Sequence, residues 1–359
     1  MTADEIFRGR LVMAPMTRGT DLPFRRLAME WGAPVAVGEM AYAHKVVGGE
    51  RSERALLRRH PSERVFGVQL AGKRPEVMAE AARIAVDHGA DFLDVNLGCP
   101  IDDTTRRGFG AALLERPSRV GAIVEAMKSA VPVPITIKMR LGWADAKPTF
   151  LKIARAAEAA GVDAIGLHAR SRAQRYRRPA DWSAVRDLVQ AVRVPVVGNG
   201  DILSWRDADE RMVETGCAAV MVGRWALVKP WIFREYAERR DFMPTPAERL
   251  AVLRRYIELA IEHFGDDEHG RTRARQFFTF HQDFFRRYRH GADRRAVNAS
   301  DPREWGEPPR DDLEAWLCRA DARAIEALAC WLVLGGPDSP PDSAESTPED
   351  AAFEAAVQG

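Results

Sequence analysis

Pro195-Val-Val-Gly-Asn-Gly-Asp201 and, further along, Ala219-Val-Met-Val-Gly-Arg224 are built alike. Each is a short apolar run that stops at a polar, Gly-containing turn. Between them Trp205–Thr215 alternates apolar and polar residues at helical spacing and is followed by Gly216, as a helix C-terminus would be. A strand, a polar loop, a helix and a second strand, in that order, make a β/α unit. The same alternation extends back to the N-terminus, with strand candidates at Leu11–Ala14, Val35–Gly38, Val65–Leu70, Phe92–Asn96, Ile135–Met139 and Ala164–His168. Pro75–His88 and Pro148–Ala160 are amphipathic helices that end at Gly89 and Gly161. Eight strands with helices between them predict an α/β protein of the (β/α)8 TIM-barrel class, in preference to an open sheet. No Gly-x-Gly-x-x-Gly follows the first strand, which counts against a dinucleotide-binding Rossmann fold.

Near residue 240 the strand signal stops. Thr245-Pro-Ala-Glu248 is a capping box with proline at the first helical position. It predicts a helix to about Phe264, a polar loop over Gly265–Gly270 and a second helix from Arg271 to His290. One or two more helices end near Leu334. The expected organisation is a barrel over 1–240, a small C-terminal helical bundle over 241–335 and a disordered acidic tail over 336–359. The tail holds six acids and no Lys or Arg, so the remainder carries 53 basic against 46 acidic side chains. That surplus is compatible with a nucleic-acid partner.

Composition is that of a soluble protein, 46% hydrophobic and 29% charged. No apolar run approaches the ~20 residues of a membrane span, and MTADEIFRGR lacks the layout of a secretory signal. Cys99, Cys217, Cys318 and Cys330 form no C-x-x-C pair, which argues against structural zinc and fits reduced thiols. The chain is therefore expected to be cytoplasmic and monomeric, without a metal or membrane partner.

In barrels of this class the reactive groups sit at the C-terminal ends of the strands. Those ends here are polar throughout: Met16-Thr17, Glu39, Gln69, Asn96, Lys138 with Arg140, His168 with Arg170, Asn199-Gly200-Asp201 and Gly223-Arg224. A lone Gln or His is more often a hydrogen-bonded core residue. Eight polar strand ends together point to a site. The last two suit a phosphate, because Gly-rich loops expose N–H groups and Arg224 adds a charged fork. Lys138 either faces the mouth, ready to meet negative charge, or forms a structural ion pair.

Asn96-Leu-Gly-Cys99-Pro100 is the most specific segment. Gly98 permits a tight turn and Pro100 biases Cys99 towards extended backbone, which together hold a thiol above the mouth. An ordinary thiol, with a pKa of about 8.5, is mostly protonated at neutral pH and suits a proton donor. The alternative is a buried inert cysteine, the reading adopted for Cys217. From Arg170 to Arg178 there are five arginines, including Arg172 and Arg175, with Tyr176 among them and no acid. On the second C-terminal helix Arg271, Arg275, Arg286 and Arg289 fall within an arc of about 60°. Phe277, Phe280, Phe284 and Tyr288 lie on the opposite side as candidate core. The arginine face reads either as solvated surface or as a grip on phosphates.

These residues resemble the dihydrouridine synthase family of FMN-dependent RNA-modifying enzymes. The matching pieces are Ala14-Pro-Met16, Pro23-Phe-Arg25, Gly38-Glu-Met40, Gly67-Val-Gln69, Asp94-Val-Asn-Leu-Gly-Cys-Pro100 and Lys138-Met-Arg-Leu-Gly142. They continue with His168-Ala-Arg170, Asn199-Gly-Asp-Ile202, Val222-Gly-Arg224 and Lys229-Pro-Trp-Ile-Phe233, so order and spacing hold over about 10–290. Pro100-Ile-Asp102, Gly38-Glu-Met-Ala41 and His168-Ala-Arg-Ser-Arg-Ala-Gln-Arg-Tyr176 are most similar to the eukaryotic branch acting on the tRNA variable loop. That branch has N-terminal zinc fingers, whereas this sequence starts at the barrel, and Trp225 stands where the family has a small residue.

The resemblance implies FMN held by Pro15, Met16, Thr17, Gln69, Lys138, His168, Asn199, Gly200, Asp201, Gly223 and Arg224. It implies NADPH as the electron donor, tRNA as the partner, hydride transfer from FMN to C6 of uracil and protonation of C5 by Cys99. Asn96 and Arg170 would contact the uracil. Arg172, Arg175 and the four helix arginines would contact RNA. Two rival readings are an FMN-dependent reductase of a free small molecule, like dihydroorotate dehydrogenase, and a colourless RNA-binding protein on an inactive barrel. The first leaves the Arg170–Arg178 cluster and the helical domain without a task. The second leaves Cys99, Lys138 and His168 without one.

Overall fold

The computed structural model describes residues 1–289 and 307–335. Its strands are short and, apart from the half-buried Tyr42 and Lys138, buried along their length, as strands covered on both faces must be. They are β1 (Leu11–Met13), β2 (Val35–Val37), β3 (Ala41–Tyr42), β4 (Phe66–Ala71), β5 (Phe92–Leu97), β6 (Ile135–Arg140), β7 (Ala164–His168), β8 (Val196–Asn199) and β9 (Ala219–Val222). All pairings among them are parallel. β1 lies between β2 and β9, with Val12 opposite Val35 and Leu11 opposite Val220. β2 also pairs with β4, Ala36 opposite Phe66, and this closes an eight-stranded TIM barrel. The eight expected strands are present within one or two residues of their expected ends. β3 was not foreseen: it is a two-residue spur that pairs with β4 beyond the end of β2.

Helices cross between the strands on the outside of the ring. Trp205–Thr215 begins at a reciprocal Ser204/Asp207 capping box, and Pro75–Asp87 starts with proline at its first turn. The N-terminal end of the barrel is plugged. A short helix, Ala3–Phe7, sends Ile6 and Phe7 into a cluster with Val12, Val35, Phe92, Ala164, Val197 and Ala219. The Phe7 and Phe92 rings meet edge to face at 5.3 Å. With that end filled by apolar side chains, the polar groups collect at the other.

The described residues form two compact units, one of 1–243 and one of 244–289 with 307–335. The second unit has helices Pro246–Phe264, Glu268–Phe285, Asp312–Leu317 and Ala322–Val333. The first of these opens with the Thr245/Glu248 capping box read from the sequence. Within this unit the buried Arg249 guanidinium pairs with Glu314 at 2.9 Å. The next helix corrects two expectations. It ends at Phe285, so Arg286 caps it and Arg289 lies beyond it, outside any helical arc. Its buried stripe is Ala274, Phe278, His281, Gln282 and Phe285, whereas Phe277, Phe280 and Phe284 are only half-buried. The acidic tail, 336–359, lies outside the described residues. Among the described residues no helix is long and apolar enough to cross a membrane, and no cluster of His, Cys, Asp or Glu is placed to hold a metal ion.

Candidate active site at the barrel mouth

Side chains on a strand alternate between faces, so β5 sends Phe92, Asp94 and Asn96 to one side, and β6 sends Thr136, Lys138 and Arg140. The apolar or small member lies low in the barrel and the polar ones lie above it. Thr136 Oγ1 donates to Asp94 Oδ1 at 2.7 Å, and Gln69 Nε2 donates to Asp94 Oδ2 at 2.6 Å. Asn96 Nδ2 donates to Gln69 Oε1 at 2.7 Å. Lys138 Nζ donates to Asn199 Oδ1 at 3.0 Å, and Asn199 Nδ2 donates to the Met221 carbonyl at 2.8 Å. Burial pushes the Asp94 carboxyl above its ordinary range. It pushes the Lys138 ammonium below its own, helped by Arg140 and opposed by Asp94.

The loop after β5 is fixed at both ends. Asn96 Oδ1 accepts from the amides of Gly98 and Cys99, at 3.2 and 2.9 Å. Arg140 Nε donates to the Gly98 carbonyl at 2.9 Å, and the Ala111 amide donates to the Cys99 carbonyl at 3.1 Å. Gly110 has φ +58°, and a Cβ there would stand 2.9 Å from the Cys99 carbonyl oxygen and 3.0 Å from Cys99 Cβ. Glycine at 110 thus lets the returning chain press against the cysteine. Cys99 remains half-exposed, while Cys217 is buried.

Across the mouth the lining is cationic. His168 is buried, and its imidazole is held well below the ordinary range, first by burial and then by Arg140, Lys138, Arg170 and Arg224. Arg170 Nη1 lies 3.3 Å from His168 Nε2, which suits a neutral ring accepting there. Gly200 has φ +133°, and a Cβ on it would come within 2.6 Å of Ala180. Asp201 follows at φ +51°. The Arg224 guanidinium lies over the Tyr176 ring at 4.2 Å, and Arg140 approaches the same ring at 5.7 Å. Pro15, Met16 and Thr17 follow β1 beside Gly223, because Ala14 donates to the Val222 carbonyl at 2.9 Å.

Arg170 departs from expectation. It is fully buried, bidentate to Asp201 at 2.6 Å, with Nε on the Arg178 carbonyl at 2.5 Å. An arginine within an Arg-rich loop reads as exposed, and nothing in the sequence marks Asp201 as its partner. It therefore ties the loops after β7 and β8 together and faces no solvent. Arg172 pairs with Asp102 and stacks on Trp143 at 4.3 Å, while Arg175 is exposed. In the second unit Arg271 pairs with Asp266 and donates to the Val333 carbonyl, and Arg275 pairs with Glu326. Arg286 pairs with Asp283 with its side chain 12% exposed, and Arg289 donates to the carbonyls of Arg286 and Tyr288. Sequence reasoning assigned no site role to Tyr42, Asp94, Thr104 or Tyr176. Asp94 and Tyr176 stood inside motifs already quoted, so position within the motif was the available signal.

The family model for dihydrouridine synthase matches residues 12–301. The chain belongs to the dihydrouridine synthase family. It is 41% identical over 299 residues to the tRNA-dihydrouridine(47) synthase [NAD(P)(+)] of Cryptococcus neoformans, covering 79% of this chain and 41% of that protein. Against the corresponding "-like" proteins of Rattus norvegicus and Homo sapiens it is 42% and 40% identical, over 78% of this chain and 44% and 43% of theirs. This dihydrouridine synthase family chain thus spans less than half the length of those curated relatives. Among solved structures it is similar to histamine dehydrogenase from Rhizobium sp. 4-9, with a TM-score of 0.51 and 16% identity over 70% of this chain and 49% of that one. A 2-naphthoyl-CoA reductase complex gives 0.50 and 14%, over 64% and 50%. At those identities the likeness is one of fold.

Proposed function

We propose that the protein reduces uridine in tRNA to 5,6-dihydrouridine, with FMN as the bound cofactor, NADPH as the reductant and Cys99 as the proton donor. The observation that carries this reading is the placement of Cys99. A half-exposed thiol is held by backbone hydrogen bonds on one side of a barrel mouth whose other side is cationic.

The donor set fits FMN. Lys138, Arg140, Arg170 and Arg224 crowd around a neutral His168, with two acids among them, Asp201 bound to Arg170 and Asp94 beside Lys138. Such an excess of positive charge suits a phosphate-bearing anion. Arg224, with the backbone at Gly200 and Gly223, would hold the phosphate. Lys138 and Gln69 would face the ring, with Pro15, Met16 and Thr17 at its edge. Bound FMN supplies the hydride for C6 of the uracil.

The chain's own residues do the rest. Cys99 gives its proton to C5 from the side opposite the cofactor. Asn96 holds the loop amides so that the sulfur faces the base, and Arg170 positions Asp201 and His168. Arg172 and Arg175 at the rim, with Arg271, Arg275, Arg286 and Arg289 of the helical unit, would meet RNA phosphates. The printed names of the relatives, tRNA-dihydrouridine(47) synthases, support tRNA as the substrate.

The test is to purify the chain, identify its flavin and supply NADPH with an unmodified tRNA transcript or with free uridine. Dihydrouridine in the tRNA, measured by mass spectrometry, and none from free uridine is the expected result. Equal turnover of free uridine would favour the small-molecule reading. A protein that binds no flavin would overturn both.

A further inference from the structure

The Cys99 sulfur does not stand alone. Its Sγ lies 3.6 Å from Thr104 Oγ1, within the range of a thiol hydrogen bond, and Thr104 Oγ1 lies 2.9 Å from the Tyr42 hydroxyl. Thr104 is buried, 1% exposed, in the short helix Asp102–Arg106 that follows the Gly-Cys-Pro turn. Tyr42 is the last residue of β3, the spur beside β4. Its amide donates to Glu53 at 2.7 Å, and its ring packs 5.9 Å from that of Phe109. A buried threonine hydroxyl needs partners, and these two are the cysteine and the tyrosine.

We infer that Thr104 and Tyr42 are positioning residues for Cys99: a pair of hydroxyls that orients the sulfur and stabilises the thiolate left after proton transfer. This rests on the function proposed above. In the transfer the S–H bond breaks and its electron pair stays on sulfur. The new C5–H bond takes the electron pair of the uracil C5=C6 double bond, while C6 accepts the hydride from the reduced flavin. One hydride and one proton have then been added, and a thiolate remains until solvent returns a proton.

The two hydroxyls suit both ends of that step, because a hydroxyl both donates and accepts. Before it, the thiol donates to Thr104 Oγ1 and Thr104 donates to Tyr42. After it the chain reverses, with Tyr42 donating to Thr104 and Thr104 to the sulfur anion. A hydrogen bond to a charged acceptor is stronger than one to a neutral acceptor. The pair therefore favours the product of proton transfer over its reactant and lowers the barrier between them.

The test uses the full chain with its flavin. Thr104→Val keeps the shape and removes the hydroxyl, Thr104→Ser restores it, and Tyr42→Phe removes only the outer one. Iodoacetamide reacts with thiolate, and its attachment is followed on the peptide carrying Cys99. At neutral pH Thr104→Val should slow that alkylation about tenfold, the effect of losing one charge-assisted hydrogen bond. Tyr42→Phe should slow it less, and Thr104→Ser should return it towards wild type. On tRNA, kcat for dihydrouridine should fall by a similar factor with KM and flavin reduction by NADPH unchanged. Unchanged alkylation and kcat in Thr104→Val, with Cys99→Ala strongly impaired, would overturn the hydroxyl pair and leave the proposed function standing. Should Thr104→Val fail to fold, an alkylation rate in Tyr42→Phe equal to wild type overturns the pair. A wild-type protein that makes no dihydrouridine sinks the function, while alkylation still decides whether the hydroxyls act on the thiol.

Discussion

Between β2 and β5 the mouth is lined by a thiol, hydroxyls, amides and carboxyls, whereas between β6 and β9 it carries Lys138, Arg140, Arg170 and Arg224. Burial acts on both halves and drives each towards neutrality, but from opposite directions. Glu39 and Asp94 are pushed up on the first side, and Lys138 and His168 are pushed down on the second. One half therefore offers hydrogens that can be given away. On the other, the arginines keep a positive charge that an anion can neutralise. The proposed reduction, with hydride and proton reaching opposite faces of one double bond, would use that division.

The largest expected effect falls on the neutral half. Cys99→Ala should lower single-turnover conversion of tRNA uridine by ~10²–10⁴-fold, the usual worth of positioned proton transfer. Flavin content and reduction by NADPH should not change. Cys217→Ala, a buried thiol away from the mouth, should be close to neutral. If Cys99→Ala converts uridine at the wild-type rate, the division assigned to the two halves is wrong.

On the cationic half Arg224→Ala should weaken FMN about tenfold or more, by removing charge-assisted hydrogen bonds worth ~1.5–3 kcal/mol. Titration of the apoprotein with FMN measures this, and undiminished affinity would remove the phosphate from that position. A smaller effect is expected outside the mouth. Replacing Arg271, Arg275, Arg286 and Arg289 together should reduce tRNA affinity several-fold and flatten its dependence on salt, with flavin reduction intact. Because each of these arginines is already engaged within the helical unit, the slope should change by less than four full phosphate contacts would give. An unchanged slope would make that face ordinary solvated surface.

The smallest effect sharpens the account of the neutral half. Glu39 is pushed up to about 7, chiefly by burial and partly by Asp21, although the Arg18 amide donates to it at 2.6 Å. Ionising it costs more in the folded protein than in the unfolded chain. Its contribution to stability is therefore fully present below its ordinary value of 4.5 and is lost as pH rises through about 7. Glu39→Gln has no such loss, so its unfolding free energy should gain on wild type between pH 5 and pH 8. A constant difference across that range would mean that Glu39 is not held protonated.

The barrel was legible because each of its eight ring strands is a short apolar run bounded by a polar loop or a glycine. β3 was not, since two residues directly before a helix carry no periodicity, and with it Tyr42 was lost. Gln69, Asn96, Lys138 and His168 were found because each stands at the polar end of an apolar run, whereas Asp94, one step deeper on the same face of β5 as Asn96, was passed over. The Arg170–Asp201 pair was hidden because burial of a charge depends on contacts between loops that no local pattern encodes. On the second C-terminal helix the aromatics crowd so closely, at 277, 278, 280, 284 and 285, that two phases of the helical wheel are nearly equivalent. The tertiary contacts chose the phase with Phe278 and Phe285 inside.

The pairing of β1 with β9 sets the order in which this ring can be completed. Leu11 meets Val220, so the first strand synthesised waits for the last. Until Ala219–Val222 has left the ribosome, the growing sheet keeps two open edges, one at β1 and one at the newest strand. Contacts so distant in sequence fold slowly, and unpaired edges invite association with other chains. A chain truncated before residue 219 therefore has no partner for β1. It should collect in the insoluble fraction even though most of its strands and helices are intact.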